Sequence, residues 1–378
     1  MQIPSWPQAN ERELELLRKV LESPHWGGFH PFVEEFERSF ALYQHARFGI
    51  AAFNGTVTLE ALFSVLGIKP GDEVIVPAIS FISTATAVSR VGATPVFVDI
   101  DPATLNIDPA SVARAIGPKT RAILAVHFGG TMCDMAALEA ICREHGLLLL
   151  EDAAHAQGSE LSGKRAGSFG VASSFSFQNG KVLTGGEGGM LLTSDADLGA
   201  RLRSFVNCGR IPGRSFYDHV SLGSNLRMTA FQAAVLLAQF EDLPQQIAHR
   251  TWNAQALQAM LSRDIAWQRQ PEGTTQNSFY LLSGRVKNRA QRHALCTALA
   301  RAGVPCTPFY PHTLYQNELY RSLPCRVTPC PVAEQCVEDA FWLPHRVLLA
   351  ARPVMDEIAN AMRNALAVPA TSPISVVQ

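Results

Sequence analysis

Short apolar runs alternate with helical patterns between residues 48 and 193, and this feature restricts the fold of the chain more than any other. Residues 56–66 and 135–145 have helical patterns and separate several of the runs. Continuous apolar strands that alternate with helices predict an α/β fold, in which helices cover both faces of a mostly parallel sheet. The strand-like runs lie at residues 48–53, 73–77, 94–100, 121–127, 147–151, 173–177 and 189–193.

The pattern changes near Leu243 and Pro244, which predicts a second and smaller domain. Residues 1–245 would form the large domain, including an amphipathic N-terminal helix. Residues 246–378 would form a small α+β domain, with a frayed tail at 368–378. The elements expected in this smaller part are helices near 246–261, 289–302 and 354–367 and a strand near 279–286.

The balance of charge excludes several classes of partner. Lysine and arginine total 32 against 33 aspartate and glutamate, so the formal net charge is -1. A protein that binds nucleic acid or an anionic membrane surface would carry an excess of basic residues, so neither partner is expected. No apolar stretch reaches the roughly 18 residues of a membrane helix, and the N-terminus has no apolar signal region. We therefore expect a cytoplasmic protein.

The eight cysteines suggest no metal site. No two of them form a CxxC pair. The cluster of Cys325, Cys330 and Cys336 has no histidine pair at the spacing of a zinc finger. Reduced thiols are the simpler expectation for a cytoplasmic chain.

Candidate functional residues follow the predicted strands, where open α/β sheets bind their ligands. Gly55, Thr56 and Val57 open a helix directly after the first strand, and such a junction presents free N–H groups to an anion such as phosphate. The same residues also suit an ordinary threonine helix cap. Phe81 follows the second strand and is either a core aromatic or a platform for a flat ring.

A carboxylate and a histidine follow the run of four leucines at 147–150. Asp152 would be partly removed from water there, so it needs a cationic partner. A protonated pyridine nitrogen is one such partner, and an arginine is the alternative. His155, three residues later, either binds the same ligand or has a structural role.

Lys181 lies in the most informative segment of the chain. It follows the strand at 173–177, with Gly180 before it and a glycine-rich turn at 185–189 after it. A lysine in a dry, glycine-lined pocket has a lowered pKa and becomes an amine nucleophile for a carbonyl, although an exposed surface lysine is the common alternative. Ser176 offers a hydroxyl for a phosphate. Phosphate site, aromatic platform, carboxylate and amine together match the needs of pyridoxal 5'-phosphate (PLP).

These motifs resemble the DegT/StrS family of PLP-dependent sugar aminotransferases over about residues 26–366. The resemblance implies the fold type I architecture of aspartate aminotransferase. The segments at 175–181 and 342–349 are most similar to a subgroup that includes glutamine:scyllo-inosose aminotransferases and 3-amino-5-hydroxybenzoate synthases. The motifs that carry the resemblance are Asn54-Gly55-Thr56, residues 71–77 with Phe81, residues 151–156, residues 174–181 with 186–189, and residues 223–228.

The resemblance also implies roles for single residues. Lys181 would bond to the cofactor and move the reacting proton, and Asp152 would pair with the ring nitrogen. His155 would approach the 3-oxygen of the ring, where many family members have glutamine, and Phe81 would stack on the ring. Asn225 would reach the cofactor of a neighbouring subunit, so an obligate homodimer is implied. The other cofactor-binding residues would be Gly55, Thr56, Val57 and Ser176, and the substrate-binding candidates are Asn207, Arg227, Tyr310 and His312.

The implied function is an aminotransferase that moves an amino group from glutamate or glutamine to a keto-sugar or keto-cyclitol in amino-sugar or antibiotic biosynthesis. A 3-amino-5-hydroxybenzoate synthase, which aromatises an amino ketone by dehydration, is an alternative with the same motifs. A non-catalytic PLP-binding regulator is a remote second alternative. Such regulators normally carry a DNA-binding domain, for which this chain has no spare segment.

Overall fold

The computed structural model describes residues 1–367, so the tail expected at 368–378 lies outside the described residues. Helices and strands are numbered here in chain order. The α-helices are α1 (Glu11–Glu22), α2 (Pro31–Tyr43), α3 (Gly55–Val65), α4 (Ser83–Arg90), α5 (Pro109–Ala115), α6 (Met135–His145), α7 (Ala196–Val206), α8 (Ala230–Met260), α9 (Arg289–Arg301), α10 (Pro331–Asp339) and α11 (Arg352–Ala367). The strands are β1 (Phe48–Ala52), β2 (Glu73–Pro77), β3 (Thr94–Val98), β4 (Thr120–Val126), β5 (Leu148–Asp152), β6 (Glu160–Leu161), β7 (Lys164–Arg165), β8 (Ala172–Ser176), β9 (Gly189–Thr193), β10 (Ala266–Trp267), β11 (Thr274–Gln276), β12 (Leu281–Arg285), β13 (Thr307–Pro308), β14 (Arg326–Val327) and β15 (Ala340–Pro344).

The main sheet has eight strands in the order β1-β9-β8-β5-β4-β2-β3-β14. The strands from β8 to β14 in this order pair in parallel, whereas β9 pairs antiparallel with both β8 and β1. The predicted α/β fold with a mostly parallel sheet is therefore confirmed. Strand β14 comes from the C-terminal part of the chain, so the large sheet is completed by a segment that the sequence pattern assigned to the small domain.

Both faces of this sheet are buried, which is why its strands read as continuous apolar runs. Ile75 of β2 points into one core cluster, whereas its neighbours Val74 and Val76 point into the other. Phe36 and Phe40 of α2 are fully buried on the first face, where their rings contact Phe177 edge-on. The four-residue spacing of phenylalanines in α2 thus marks its core-facing side.

The C-terminal part has its own antiparallel sheet, in the order β10-β12-β15-β13, and its own core cluster. Helix α8 joins this part to the large sheet as one continuous helix of 31 residues. The change of pattern near Pro244, which predicted a domain boundary, falls inside this helix. Leu243 is buried in the core beside the large sheet, and Leu257 is buried in the C-terminal core. Burial on both sides of Pro244 keeps the helix continuous, although the proline removes one of its N–H donors.

The division into residues 1–245 and 246–378 therefore stays a prediction, with its boundary inside α8. No helix within residues 1–367 combines the length and the apolar character needed to cross a bilayer. Over the same residues, no group of three or more His, Cys, Asp or Glu side chains is placed to bind a metal ion.

Candidate active site

A cavity of about 650 Å³ opens at the carboxyl-terminal edge of the parallel strands. Asp152 ends β5 and Ser176 ends its neighbour β8, while Gly55 and Ser83 begin α3 and α4. Strand ends and helix N-termini therefore meet around one space. The residues that line it include the following predicted site residues: Gly55, Thr56, Phe81, Asp152, His155, Ser176, Lys181 and Tyr310.

Lys181 brings a buried amine into this cavity. The residue is 9% exposed, and its backbone N–H donates to the carbonyl of Gln178 at 2.8 Å. Burial lowers the pKa of Lys181 to about 8, and the nearby carboxylate of Asp152 opposes part of that shift. Near pH 8, about half of these amines are therefore uncharged and nucleophilic.

Asp152 supplies a buried carboxylate to the same cavity. Its Oδ2 accepts a hydrogen bond from Thr84 Oγ1 at 2.9 Å, and its Oδ1 accepts one from the N–H of Ala154 at 3.3 Å. Burial raises the pKa of Asp152, while these hydrogen bonds and the charge of Lys181 act in the opposite direction. A buried carboxylate with neutral donors favours a bound cation beside it.

His155 is buried at the cavity wall and has one defined tautomer. Its Nδ1 accepts a hydrogen bond from the N–H of Gly129 at 3.3 Å. Burial, with a smaller contribution from the charge of Lys181, lowers the pKa of His155 well below its usual value. A neutral imidazole that accepts at Nδ1 carries its proton on Nε2, so His155 is a hydrogen-bond donor at Nε2.

The start of α3 forms the part of the cavity that suits an anion. A Cβ atom on Gly55 would lie 2.7 Å from Ser176 Cβ, so only glycine allows this close approach. The first N–H groups of a helix have no partner within the helix, and the helix dipole favours negative charge there. The hydroxyl of Thr56 lies 2.7 Å from that of Ser83. Hydroxyl and amide donors thus converge from α3, α4 and β8.

Five predicted residues lie outside the cavity lining. Val57 donates its N–H to Asn54 Oδ1 at 3.0 Å, and its side chain packs against the core. Nη1 of Arg227 donates to Asn207 Oδ1 at 2.9 Å, and both residues line a separate cavity of about 530 Å³. Asn225 is exposed and pairs through its backbone with Asn207. His312 is exposed in the segment after β13.

Glu151 precedes Asp152 directly but has a different role. Alternation along β5 turns its carboxylate away from the cavity, where it accepts hydrogen bonds from three backbone N–H groups, those of Gly167, Phe169 and Gly170, at 2.7–2.8 Å. His127 Nε2 lies 2.9 Å from the same carboxylate. Glu151 therefore holds the segment that leads into β8.

We expect Glu151→Gln to destabilise the fold. The amide NH₂ would face backbone N–H donors, and a buried group without its partners costs about 1–3 kcal/mol. The free energy of unfolding, measured by denaturant titration, should fall by about that amount. Glu144→Gln, at an exposed position near the end of α6, is the matched control. Equal stability of Glu151→Gln and the wild type would contradict this role.

Comparison with known proteins agrees with this geometry. The model of the DegT/DnrJ/EryC1/StrS aminotransferase family matches residues 7–363. The chain belongs to this family. The resemblance seen in the sequence motifs is therefore confirmed over almost the whole length.

Two relatives and one solved structure extend this result. The 3-amino-5-hydroxybenzoate synthase of Amycolatopsis mediterranei (strain S699) is 37% identical over 382 residues, which cover 97% of this chain and 98% of the relative. The L-glutamine:2-deoxy-scyllo-inosose aminotransferase of Streptoalloteichus tenebrarius is 34% identical over 399 residues, covering 96% and 94%. A crystal structure of 3-amino-5-hydroxybenzoic acid synthase has a TM-score of 0.92 at 37% identity, covering 97% of this chain and 99% of that one.

The DegT/DnrJ/EryC1/StrS aminotransferases depend on PLP, which confirms the predicted enzyme class and cofactor. The residues of the cavity fit that group. The buried carboxylate of Asp152 suits a protonated ring nitrogen, and the amine of Lys181 suits the aldehyde. The close approach at Gly55 leaves donors free for a phosphate.

The structure adds residues that the sequence did not indicate. Thr84 holds the carboxylate of Asp152, and its place in a run of serines and threonines after β2 was the available signal. Tyr280 lines the cavity from the other half of the chain, where no local motif marks it. Gln178 and Glu187 line the cavity within the segment that carries Lys181.

Proposed function

We propose that this aminotransferase transfers an amino group from glutamate or glutamine to a cyclic ketone of the keto-sugar or keto-cyclitol class, in the cytoplasm. The proposal is supported by one observation. Lys181, Asp152 and the N-terminus of α3 line the same cavity. The cofactor, when bound, supplies an electron sink that stabilises negative charge on the substrate carbon. The eight cysteines remain thiols, which suits a reducing compartment.

Each residue of the site would have a separate role in the reaction. Lys181, with a pKa of about 8, both accepts and returns a proton near neutral pH. Asp152 would keep the ring nitrogen protonated through its buried negative charge. His155 would offer its Nε2 proton to the ring oxygen. Gly55, Thr56 and Ser176 would hold the phosphate and so keep the reacting atoms beside Lys181.

The lining of the cavity supports a hydroxyl-rich acceptor. Hydroxyl, amide and phenol groups line much of it, and these groups bind polyols through hydrogen bonds. The residues that supply them include Ser80, Ser83, Gln178, Tyr280 and Tyr310.

A homodimer is part of this proposal. Asn225 lies outside the cavity that holds Lys181 of its own chain, so a contact with a cofactor phosphate would be made in a second subunit. The segment before it exposes large apolar side chains, with Tyr217 at 82% and Leu222 at 94% exposure. Apolar groups of this size are normally covered, and a second copy would cover them.

Dehydrating aromatisation of an amino ketone is the second candidate function. It is favoured by the 37% identity to a 3-amino-5-hydroxybenzoate synthase and by the TM-score of 0.92 to a structure of that enzyme. Lys181 and Asp152 would serve both reactions, because each reaction needs proton transfer beside a protonated ring.

A substrate panel separates the two candidates. Purified enzyme is supplied with glutamine or glutamate and with scyllo-inosose or nucleotide-linked keto-sugars, and in a separate reaction with a cyclic amino ketone. Products are identified by mass spectrometry. We expect an amine of the cyclic ketone together with the keto acid of the donor. An aromatic product, without amine transfer to any cyclic ketone, would overturn the first candidate in favour of the second.

A further inference from the structure

Three aromatic rings from distant parts of the sequence stack next to Lys181. The centroids of His155 and Tyr280 are 4.4 Å apart, with 37° between the ring planes. Those of Tyr280 and His345 are 6.0 Å apart, with 26° between the planes. Trp6 packs edge-on against His345 at 4.5 Å. We call His155, Tyr280 and His345 the ring column.

The ring column contacts Lys181 and the residue before it. Lys181 Nζ lies over the face of Tyr280, 4.6 Å from the ring centroid. The carbonyl of Gly180 accepts a hydrogen bond from His345 Nε2 at 3.1 Å. A carbonyl only accepts, so the proton of His345 lies on Nε2. Neighbouring rings therefore hold both the backbone before the lysine and the amine at its end.

The face of Tyr280, rather than its hydroxyl, acts on the amine. Burial raises the pKa of Tyr280 to about 12, so the phenol stays neutral. The face of an aromatic ring carries negative potential and attracts an ammonium group, most strongly where water is excluded. The charged or titratable groups that line the cavity with Lys181 are Asp152 from β5, His155 after it, Glu187, Tyr280 before β12, and Tyr310, and His345 after β15 lies behind Tyr280. Among them, Asp152 is the carboxylate whose charge raises the pKa of Lys181.

We propose that Tyr280 is a positioning residue, whose ring face holds the free amine of Lys181 and stabilises its ammonium form between proton transfers. The proposal rests on the proposed function, because it concerns the state in which Lys181 is not bonded to the cofactor. His345 supports the arrangement by fixing Gly180. The third ring, His155, packs against Tyr280 with 4.4 Å between the ring centroids and so limits the movement of that ring.

The protonation of Lys181 can be measured without any turnover. The full-length enzyme is loaded with pyridoxamine 5'-phosphate, which leaves the lysine free, and is labelled briefly with acetic anhydride over a series of pH values. Mass spectrometry of the peptide with Lys181 gives the pH at half-maximal labelling. We expect Tyr280→Phe to keep this midpoint and Tyr280→Leu to lower it by about one pH unit. Tyr310→Leu, a second tyrosine of the cavity lining, is the matched control and should change it less.

Because Tyr280→Leu could misfold, a second experiment uses side chains at position 280 that all keep the shape of a phenyl ring. Tyr280 is replaced by phenylalanine and by its 4-fluoro and 3,4,5-trifluoro forms, which progressively weaken the negative face of the ring. The labelling midpoint should fall stepwise along the series. An unchanged midpoint across the fluorinated series would overturn the proposal.

Failure of this inference differs from failure of the proposed function. A wild-type protein that is colourless and takes up no PLP contradicts the proposed function. A yellow wild-type protein that transfers amino groups, but whose labelling midpoint is insensitive to the ring at position 280, contradicts only the role of Tyr280.

Discussion

Lys181→Ala is expected to remove both the yellow colour of the purified enzyme and its amino transfer. In the proposed function, the colour would come from a covalent bond between this amine and the cofactor, and alanine has no amine to form it. Transfer should fall by about three orders of magnitude or more, because a general acid–base residue alone contributes about 10²–10⁴-fold. No other lysine lines the cavity within the described residues, so no neighbour can replace it.

The measurement combines an absorption spectrum with an assay of amino transfer. Lys119→Ala removes an exposed lysine in the loop before β4 and serves as the matched control, with colour and activity unchanged. A thermal melt of Lys181→Ala shows whether the fold survives. A folded Lys181→Ala protein that is still yellow and active would refute the assigned role.

Asp152→Asn is expected to keep the cofactor but to lose most of the activity. Asparagine has nearly the shape of aspartate, and its amide oxygen still accepts from Thr84 Oγ1. The variant loses the negative charge that is proposed to keep the ring nitrogen protonated, so the cofactor would become a poorer electron sink. Removal of one electrostatic group of this kind typically lowers kcat by about 10²–10³-fold.

The test compares kcat with the amount of bound cofactor. Asp197→Asn, in the exposed first turn of α7, is the matched control and should match the wild type in both. Thr84→Val separates charge from geometry, because it removes one hydrogen bond and leaves the carboxylate. We expect a smaller loss in Thr84→Val than in Asp152→Asn. Near-wild-type turnover in Asp152→Asn would contradict its role.

Several elements could be predicted because their signals are local. The helix at 135–145 has the same limits in the structure as in the sequence pattern, since an aspartate cap precedes it and Gly146 ends it. Strand β2 likewise matches at 73–77. Helix α4 was not predicted, because its short run of serine, threonine and alanine has no clear apolar period. This helix matters for the site because its Thr84 donates a hydrogen bond to Asp152, at the end of a different strand.

The prediction of the site was limited because the sequence does not show in which direction neighbouring side chains point. Adjacent carboxylates at 151 and 152 look equivalent in the sequence, and the pleat of β5 directs only Asp152 into the cavity. The domain boundary predicted near Pro244 rests on a similarly local signal, and it stays a prediction. A proline lowers helix stability locally, but burial on both sides of Pro244 in α8 outweighs that cost.

The α/β class, the family and the types of chemical group in the site could be inferred from the sequence, because strand runs, glycine turns and the lysine segment are signals of consecutive residues. Which of these groups meet follows only from the three-dimensional packing. Tyr280 and His345 lie about 100 and 165 positions from Lys181 in the chain, yet one ring faces its amine and the other binds the carbonyl before it. Such contacts depend on how β12 and β15 pack against the large sheet, and no local pattern records that packing.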